Sequence, residues 1–347
     1  MPEKVLVFSR FPKALMLRIG ERFELMDAAG KPPNQMFSAD HLAGVRAMIT
    51  AGGTPLSGEM MDMMPKLGAI VCYGTGYDGV DLQAANTRKI MVGHSPGANA
   101  ASVADIAVTL MLAATRRLLV ADNYVRSGDW AAANPSPMMR PQPGMPGRKV
   151  GIYGMGEIGR KIAARVAAFE AEVGYFSRSQ RDVPYRYFPN LAALADWCGV
   201  LMIAVRAGAG THHVVDADIL KRLGEDGCVV NIARGSVIDQ EALAKALTDK
   251  TIAAAGLDVY EKEPHAPDAL TALPNCGAEP AYRRPHARVA YGHAGLRHCQ
   301  FNRIFCGEPA ALPGEGGLSG RFSAKIHPNC RPPPGVNFAL GKPDQTL

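Results

Sequence analysis

The sequence predicts an α/β fold class in which doubly wound parallel sheets are covered by helices. Short apolar runs of strand length alternate with helical segments as far as Val259, and this alternation is typical of parallel sheets. The most regular unit lies between Arg148 and Ser179, where two apolar runs flank a glycine-rich turn and a helix. At 347 residues, the chain is long enough for two domains, each with its own core.

Composition and charge narrow the range of functions. The chain is 47% hydrophobic and 20% charged, as in ordinary soluble proteins. Apolar runs stay shorter than a membrane span, and the N-terminus lacks a signal-peptide pattern. The seven cysteines have no disulfide or metal-site spacing, which favours a reducing, cytoplasmic location and no metal. Most of the net charge of +6 lies in residues 275–347, so we expect no nucleic-acid partner.

Residues 1–98 are predicted to form a small α/β domain. The predicted elements are strands over residues 5–8, 22–26, 46–50 and 69–73 and a helix over residues 56–64. Gly74, Thr75 and Gly76 follow the last of these strands. Backbone amides in such a loop can converge on an anion such as a carboxylate. Taken alone, these residues fit a purely structural turn equally well.

The turn at residues 154–159 has the pattern G-x-G-x-x-G between a strand and a helix, predicted over residues 160–170, and a second strand over residues 173–176 follows. In such a turn the first glycine permits the tight bend, the second lets the backbone approach a pyrophosphate, and the third lets the helix pack on the sheet. The helix N-terminus adds free N–H groups. We predict a dinucleotide site, with a plain structural turn as the alternative. Its residues are Gly154, Met155, Gly156, Glu157, Ile158 and Gly159.

The end of the second strand indicates which dinucleotide is bound. NAD sites usually place an acidic residue there for the ribose 2′-hydroxyl. This chain has Ser177, Arg178 and Ser179 instead. A guanidinium between two hydroxyls suits a 2′-phosphate through charge-assisted hydrogen bonds. The sequence therefore favours NADP(H) over NAD(H), unless Arg178 is only a solvated surface residue.

The remaining elements continue the alternation. They are one long helix over residues 99–126, with Val103, Ile106, Ala107, Leu110, Met111 and Ala114 as its apolar face, strands over residues 201–205, 228–232 and 253–259, and helices over residues 218–223 and 240–247. Arg234, Asp258 and Glu263 come at or just beyond strand ends, where open α/β sheets bind ligands. Surface charges on loops are the alternative. His212 and His213 are interpreted as an exposed loop pair without metal-ligand company.

Several motifs then occur in one order and spacing. They are residues 74–78 with 80–82, 102–105, 148–159, 231–239 and 256–264. On these motifs the chain from about residue 73 to residue 275 resembles the D-isomer-specific 2-hydroxyacid dehydrogenases, above all the NADPH-linked glyoxylate/hydroxypyruvate and hydroxyphenylpyruvate reductases. The resemblance implies a flavodoxin-like substrate domain over residues 1–98, completed by the C-terminal segment, and a Rossmann cofactor domain over residues 99–275. It also implies a homodimer that reduces a small 2-keto acid.

The resemblance also assigns roles. Arg234 matches the arginine that binds the substrate's carboxylate and carbonyl, and Glu263 matches the acid that partners a catalytic histidine. Asp258 matches the residue near the nicotinamide carboxamide. Gly74, Thr75 and Gly76 match the loop whose amides receive the carboxylate. The cofactor pocket then includes Val205, Ile232 and Ala233, although the segment after Val205 lacks the family's usual proline.

The family pattern is lost from about residue 276. The spacing from Glu263 that is usual in the family places the proton donor at residue 281, which is Ala281 in this chain. His286 lies five residues further along, so it is only a candidate catalytic residue. Residues 275–347 hold nine prolines and ten glycines, which predicts a poorly ordered tail. One hypothesis is a frameshift: a permitted coding string for residues 279–288 reads, one base later, Asn-Pro-His-Ile-Gly-Gly-His-Thr-Arg, the missing family motif. The alternative function is then a catalytically impaired NADP(H)-binding protein.

Overall fold

The computed structural model describes residues 2–134 and 144–278, which fall into two units. The division lies between Ala98 and Asn99. Each unit contains one parallel sheet, so the predicted α/β class is confirmed. Residues 276–278 of the predicted tail form a strand, and the rest of the tail, His286 included, lies outside the described residues. In the described parts of the chain, no helix combines the length and the apolar character that crossing a membrane requires.

The first unit has a five-stranded sheet. Its strands are β1 (Lys4–Val7), β2 (Glu24–Asp27), β3 (Val45–Ala51), β4 (Ala69–Tyr73) and β5 (Met91–Gly93), and its helices are α1 (Lys13–Gly20), α2 (Pro33–Met36), α3 (Ala39–Leu42), α4 (Gly58–Asp62) and α5 (Leu82–Thr87). The strand order is β2-β1-β3-β4-β5, the flavodoxin-like order. Both faces of the sheet are buried in apolar cores, one around Met48 and Ile70 and the other around Ile49 and Val71.

The second unit has a seven-stranded sheet. Its strands are β6 (Lys149–Tyr153), β7 (Glu172–Phe176), β8 (Arg186–Phe188), β9 (Val200–Ile203), β10 (Cys228–Asn231), β11 (Ala254–Leu257) and β12 (Cys276–Ala278). Its helices are α6 (Ala100–Thr115), α7 (Leu118–Arg126), α8 (Glu157–Ala167), α9 (Leu191–Trp197), α10 (Ala217–Leu223), α11 (Gln240–Thr248) and α12 (Asp268–Thr271). The order β12-β11-β10-β9-β6-β7-β8 reverses direction beside β6, as in the dinucleotide-binding fold. Helices α6 and α8 cover one face, and α9, α10 and α11 cover the other.

The register of this sheet brings five strand ends to one edge. Tyr153 of β6 pairs with Phe176 of β7 and Ile203 of β9, and Asn231 of β10 pairs with Ile203 and with Leu257 of β11. Because the strands are parallel, the residues that follow these five positions emerge together. All of the predicted site residues of the second unit are among them or in the turns that come next.

The long helix predicted over residues 99–126 is wrong. It is two helices, α6 and α7, because Arg117 takes a left-handed conformation with φ of 50° and breaks the hydrogen-bond ladder. Its predicted apolar face is also partly wrong, since Ile106 is 38% exposed, while Ala104 and Val108 are buried. The small Ala104 lies in the core that α6 shares with α8 and the sheet.

Helix α8 begins three residues before its predicted start because Gly156, inside the turn, already caps it. It ends at Ala167, three residues before its predicted end at residue 170, and Phe169 beyond it is 39% exposed. The shortest elements were not predicted, among them β5, β8 and β12. Strand β12 pairs with β11 just past the boundary expected at residue 275.

Candidate functional site

The three glycines of the turn at residues 154–159 differ in their surroundings. Gly154 has φ of 105°, and a Cβ there would lie 2.6 Å from the carbonyl oxygen of Ala204. A Cβ on Gly159 would lie 1.9 Å from the carbonyl oxygen of Gly154. Gly156, the N-cap of α8, has no atom within 4 Å of a Cβ position. The turn is therefore closely packed at both ends and open in the middle, which leaves room for a pyrophosphate against the backbone.

Hydrogen bonds between strand ends fix this turn to its neighbours. The Gly154 amide donates to the Phe176 carbonyl at 2.8 Å, and the Ala204 amide donates to the Tyr153 carbonyl at 2.8 Å. Beneath the turn, the Tyr153 ring stacks on Phe176 with 5.5 Å between centroids. Burial raises the pKa of the Tyr153 phenol above its ordinary value.

Of the other residues in this turn, Met155 is buried, Glu157 is exposed in the first turn of α8 and Ile158 is half-buried. Val205 is half-buried after β9, and its Cγ1 lies 2.9 Å from the position of a Gly154 Cβ. Val205 therefore borders the glycine turn.

Ser177, Arg178 and Ser179 leave the end of β7 together, but their side chains differ. Ser177 is buried, and its hydroxyl donates to the carbonyl of Ser179 at 2.7 Å. The hydroxyl proton of Ser177 is therefore used within the turn. Arg178 and Ser179 are exposed, and Arg178 forms no ion pair with any residue that the structure describes.

Arg234 lies in a turn that follows β10 after the buried residues Ile232 and Ala233. Its Nη1 donates to the Ala233 carbonyl at 2.8 Å. Asn231, which is 1% exposed, braces the turn from inside: its Oδ1 accepts from the Ala233 amide at 3.0 Å, and its Nδ2 donates to the Arg234 carbonyl at 2.8 Å. The backbone that carries Arg234 is thus fixed by a buried side chain.

Gly235 connects the Arg234 turn to the segment that carries Glu263. A Cβ on Gly235 would lie 2.0 Å from the carbonyl carbon of Tyr260, so only glycine permits this approach. Glu263 is exposed, and its Oε1 accepts from the Tyr260 amide at 3.2 Å. Asp258 is half-buried directly after β11, with its amide bonded to the Asn231 carbonyl at 3.0 Å. Arg234, Asp258 and Glu263 therefore belong to one connected set of turns.

His213 contacts an acidic residue, Glu261, close to the segment that carries Glu263. Its Nε2 is hydrogen-bonded to Oε1 of Glu261, and its amide donates to the Ser236 carbonyl at 2.8 Å. His212 is exposed, as interpreted, and the His213 side chain is 37% exposed but is held by its bond to Glu261. No group of three or more potential metal ligands occurs within residues 2–134 and 144–278.

In the first unit, the loop after β4 is held from several sides. Gly74 has φ of 116°, and its carbonyl accepts from the Ser95 amide at 2.9 Å. Nδ1 of His94 lies 3.0 Å from the Thr75 carbonyl, and the His94 ring meets Tyr77 edge-on at 4.8 Å. A hydrogen bond to that carbonyl requires a proton on Nδ1.

The residues that brace these turns were not predicted as site residues. Asn231 stood inside a recognised motif, and its signal was a polar residue at the end of an otherwise apolar strand. His94 follows β5, a strand too short to be predicted from periodicity. Gly52 has no comparable signal: a Cβ there would lie 1.8 Å from the Gly76 carbonyl oxygen, a contact between segments distant in sequence.

Comparison with known proteins decides the family. The family described as "D-isomer specific 2-hydroxyacid dehydrogenase, NAD binding domain" matches residues 108–281. The chain belongs to this family. The match includes β12, which completes the sheet beside β11. The chain is accordingly an NAD(P)-dependent oxidoreductase.

Relatives and solved structures agree with this membership. A 2-ketogluconate reductase of Gluconobacter oxydans is 43% identical over 232 residues, which cover 67% of this chain and 74% of the relative. A glyoxylate/hydroxypyruvate reductase of Arabidopsis thaliana is 36% identical over 259 residues, which cover 74% of this chain and 79% of the relative. An NADPH-dependent glyoxylate/hydroxypyruvate reductase of Sinorhizobium meliloti, solved in complex with NADP and malonate, has a TM-score of 0.81 at 32% identity and covers 89% of this chain and 95% of that chain.

The turn at residues 154–159 fits the pyridine nucleotide that this family uses. The free space at Gly156 and the N-terminus of α8, which the side chain of its N-cap residue does not cap, suit a pyrophosphate, whereas Gly154 and Gly159 are closely packed. Binding of a pyridine nucleotide by the second unit is supported by both the family match and the structural neighbour.

Proposed function

We propose that this protein reduces a small 2-keto acid to the D-2-hydroxy acid with NADPH as the electron donor. The observation that carries the proposal is the shared sheet edge of the second unit. The glycine turn after β6 and the braced Arg234 turn after β10 emerge at this edge, separated only by β9. This reduction requires a nucleotide-binding site, a cation for the carboxylate and a proton for the developing alkoxide, and this edge of the sheet offers the first two.

Each residue then has a defined role. The nicotinamide supplies a hydride to the carbonyl carbon of the keto acid. Arg234 binds the carboxylate and polarises the carbonyl oxygen. In the first unit, the backbone amides of Gly74 and Gly76 form a loop that suits a carboxylate. Glu263 partners the residue that donates a proton to the developing alkoxide and keeps that residue protonated. Asp258 orients the nicotinamide carboxamide.

The preference for NADPH rests on Arg178. It is exposed at the end of β7, where a dinucleotide-binding sheet places the adenosine ribose, and no acidic residue stands at residues 177–179 to repel a 2′-phosphate. The Sinorhizobium meliloti neighbour is NADPH-dependent, which supports the same preference. Glyoxylate and hydroxypyruvate are the first substrates to test, and 2-ketogluconate is the next, because relatives are named for these acids.

The test is a rate measurement on the full chain. NADPH or NADH is mixed with glyoxylate, hydroxypyruvate, 2-ketogluconate or an aryl pyruvate, and nucleotide oxidation is followed by absorbance. We expect turnover with at least one of these acids and a higher kcat/KM with NADPH than with NADH. An Arg234→Gln variant should lose activity while keeping its nucleotide affinity. Equal rates for wild type and Arg234→Gln would contradict the proposal.

A second candidate is a nucleotide-binding protein with impaired turnover. The observation that favours it is the place of the proton donor, which falls on Ala281. Loss of general acid catalysis typically costs about 10²- to 10⁴-fold in rate. NADPH binding without measurable oxidation of the nucleotide by any of the four acids would favour this candidate.

A further inference from the structure

We propose that Tyr175 is a positioning residue for NADPH selectivity, because its buried hydroxyl fixes the loop that carries Arg178. We call residues 177–181 the selectivity loop. The inference rests on the proposed preference for NADPH and extends it to a side chain that does not itself reach the nucleotide. Tyr175 is the penultimate residue of β7 and is fully buried.

The Tyr175 hydroxyl makes two hydrogen bonds to one residue at the far end of the selectivity loop. It donates to the carbonyl of Arg181 at 3.0 Å and accepts from the amide of Arg181 at 2.7 Å. The Arg181 carbonyl also accepts from the amide of Val183 at 3.0 Å. The C-terminal end of the loop is therefore tied back to the strand from which the loop departs.

The N-terminal end of the loop is fixed independently. Ser177 is 8% exposed, and its hydroxyl bonds to the Ser179 carbonyl at 2.7 Å. Between these two anchors, Arg178, Ser179 and Gln180 are exposed to solvent. A short loop held at both ends presents its arginine from a defined backbone.

The hydroxyl of Tyr175 has no other evident reason to be in the core. The ring lies among apolar residues that include Ile152, Ile162 and Val166, where phenylalanine would pack equally well. A buried hydroxyl is costly unless it is hydrogen-bonded, and both bonds of this one go to the loop. A guanidinium on a pre-ordered backbone loses less conformational entropy on binding a phosphate, so the bonds should strengthen binding of the 2′-phosphate selectively.

The experiment measures dissociation constants of NADPH and NADH by nucleotide fluorescence, which requires no turnover. The test variant is Tyr175→Phe. The matched control is Tyr187→Phe, since Tyr187 is a neighbouring tyrosine, 5.5 Å away between ring centroids, whose hydroxyl forms no hydrogen bond with the residues described by the structure. We expect Tyr175→Phe to weaken NADPH about tenfold and to leave NADH within about twofold, and Tyr187→Phe to change neither.

Arg178→Ala separates this inference from the proposed function. If Arg178→Ala weakens NADPH and not NADH, the preference stands, and adding Tyr175→Phe to that variant should have no further effect. If Arg178→Ala changes neither constant, the proposed NADPH preference fails. If Arg178→Ala acts as expected but Tyr175→Phe matches Tyr187→Phe, or weakens both nucleotides equally, the positioning role of Tyr175 is overturned.

A second pair of variants tests the same bond without touching the core. Arg181→Pro removes the amide N–H that donates to Tyr175, and Arg181→Ala removes only the exposed guanidinium. We expect Arg181→Pro to weaken NADPH several-fold more than Arg181→Ala does, with NADH unchanged. Equal effects of the two variants would overturn the inference even if Tyr175→Phe fails to fold.

Discussion

The first turn of α8 rests on the glycine turn through Gly159 and Gly154, whose carbonyl oxygen would be 1.9 Å from a Cβ on residue 159. Gly156, between them, meets no atom within 4 Å of a Cβ position and has φ of −86°, which any residue can adopt. The same motif therefore contains one glycine required by packing within the protein and one whose open side leaves room for a ligand.

This difference predicts opposite effects of the same substitution. Gly159→Ala should lower the free energy of unfolding by about 3 kcal/mol, because the backbone contact must separate. Gly156→Ala should leave stability within about 1 kcal/mol of wild type and weaken NADPH and NADH alike, because the methyl group occupies the space of the pyrophosphate. Denaturant unfolding and nucleotide titration measure the two effects. A stable Gly159→Ala variant, or a Gly156→Ala variant with unchanged affinity, would contradict the assignment.

Local chemistry explains what could be predicted from the sequence. Short-range rules of turn geometry identify the glycine turn and the strands on either side of it. The absence of an acid at residues 177–179 is read directly from the sequence. The placement of Arg234 and Asp258 at strand ends follows from the alternation of strands and helices. These features need no knowledge of which distant residues touch.

Other features could not be predicted from the sequence, mainly because they depend on contacts between distant segments. The break at Arg117 has no local signal in the sequence, because arginine rarely adopts the left-handed conformation found there. The contact of His213 with Glu261 joins two loops that are far apart in the chain. Three-residue strands such as β5 and β12 are defined by their partners and carry almost no periodicity of their own.

Asn231 should affect both stability and substrate affinity. Asn231→Ala leaves the Ala233 amide and the Arg234 carbonyl without their buried partner, which costs about 1–3 kcal/mol of unfolding free energy. Because the Arg234 turn is then released, we also expect KM for the keto acid to rise about tenfold. Thermal unfolding and steady-state kinetics at saturating NADPH measure the two effects.

Asn190→Ala is the matched control for Asn231→Ala. Asn190 caps α9 through its Oδ1, which accepts from the Ala193 amide at 2.8 Å, and within the described residues its hydrogen bonds go to α9. Loss of such a cap costs about 1 kcal/mol and should leave KM unchanged. If Asn231→Ala lowers stability but leaves KM as it is in Asn190→Ala, Asn231 has only a structural role.

Cys198 should make stability depend on alkaline pH. Burial raises the pKa of its thiol from 9.0 to about 12, so the native state keeps a proton that the unfolded chain releases above pH 9. The stabilising contribution is complete below pH 9 and is lost as pH rises towards 12, at up to about 1.4 kcal/mol per pH unit. Denaturant unfolding of wild type and Cys198→Ala between pH 8 and about pH 10.5 measures the difference. Parallel stability curves for the two proteins would show that the thiol is not protected.

A histidine at residue 281 should restore general acid catalysis if the family mechanism operates in this chain. Residue 281 lies outside the described residues, and its assignment rests on spacing from Glu263 alone. Ala281→His should raise kcat with NADPH by about 10²- to 10⁴-fold and leave the dissociation constant of NADPH unchanged. The rate of reduction should then fall as pH rises through the pKa of the new imidazole, because the proton donor must be charged, and Glu263→Gln in the same variant should move that fall to lower pH.

Ala281→Gln, which fills the position without a transferable proton, is the control for size and polarity. A chain translated in the alternative frame from residue 279 tests the whole missing segment, and sequencing of the gene from independent DNA tests the frame itself. If neither Ala281→His nor the alternative-frame chain turns over faster than wild type, the proton reaches the alkoxide by another route. The frameshift hypothesis then loses its functional support, because the motif it restores contributes nothing to the reaction.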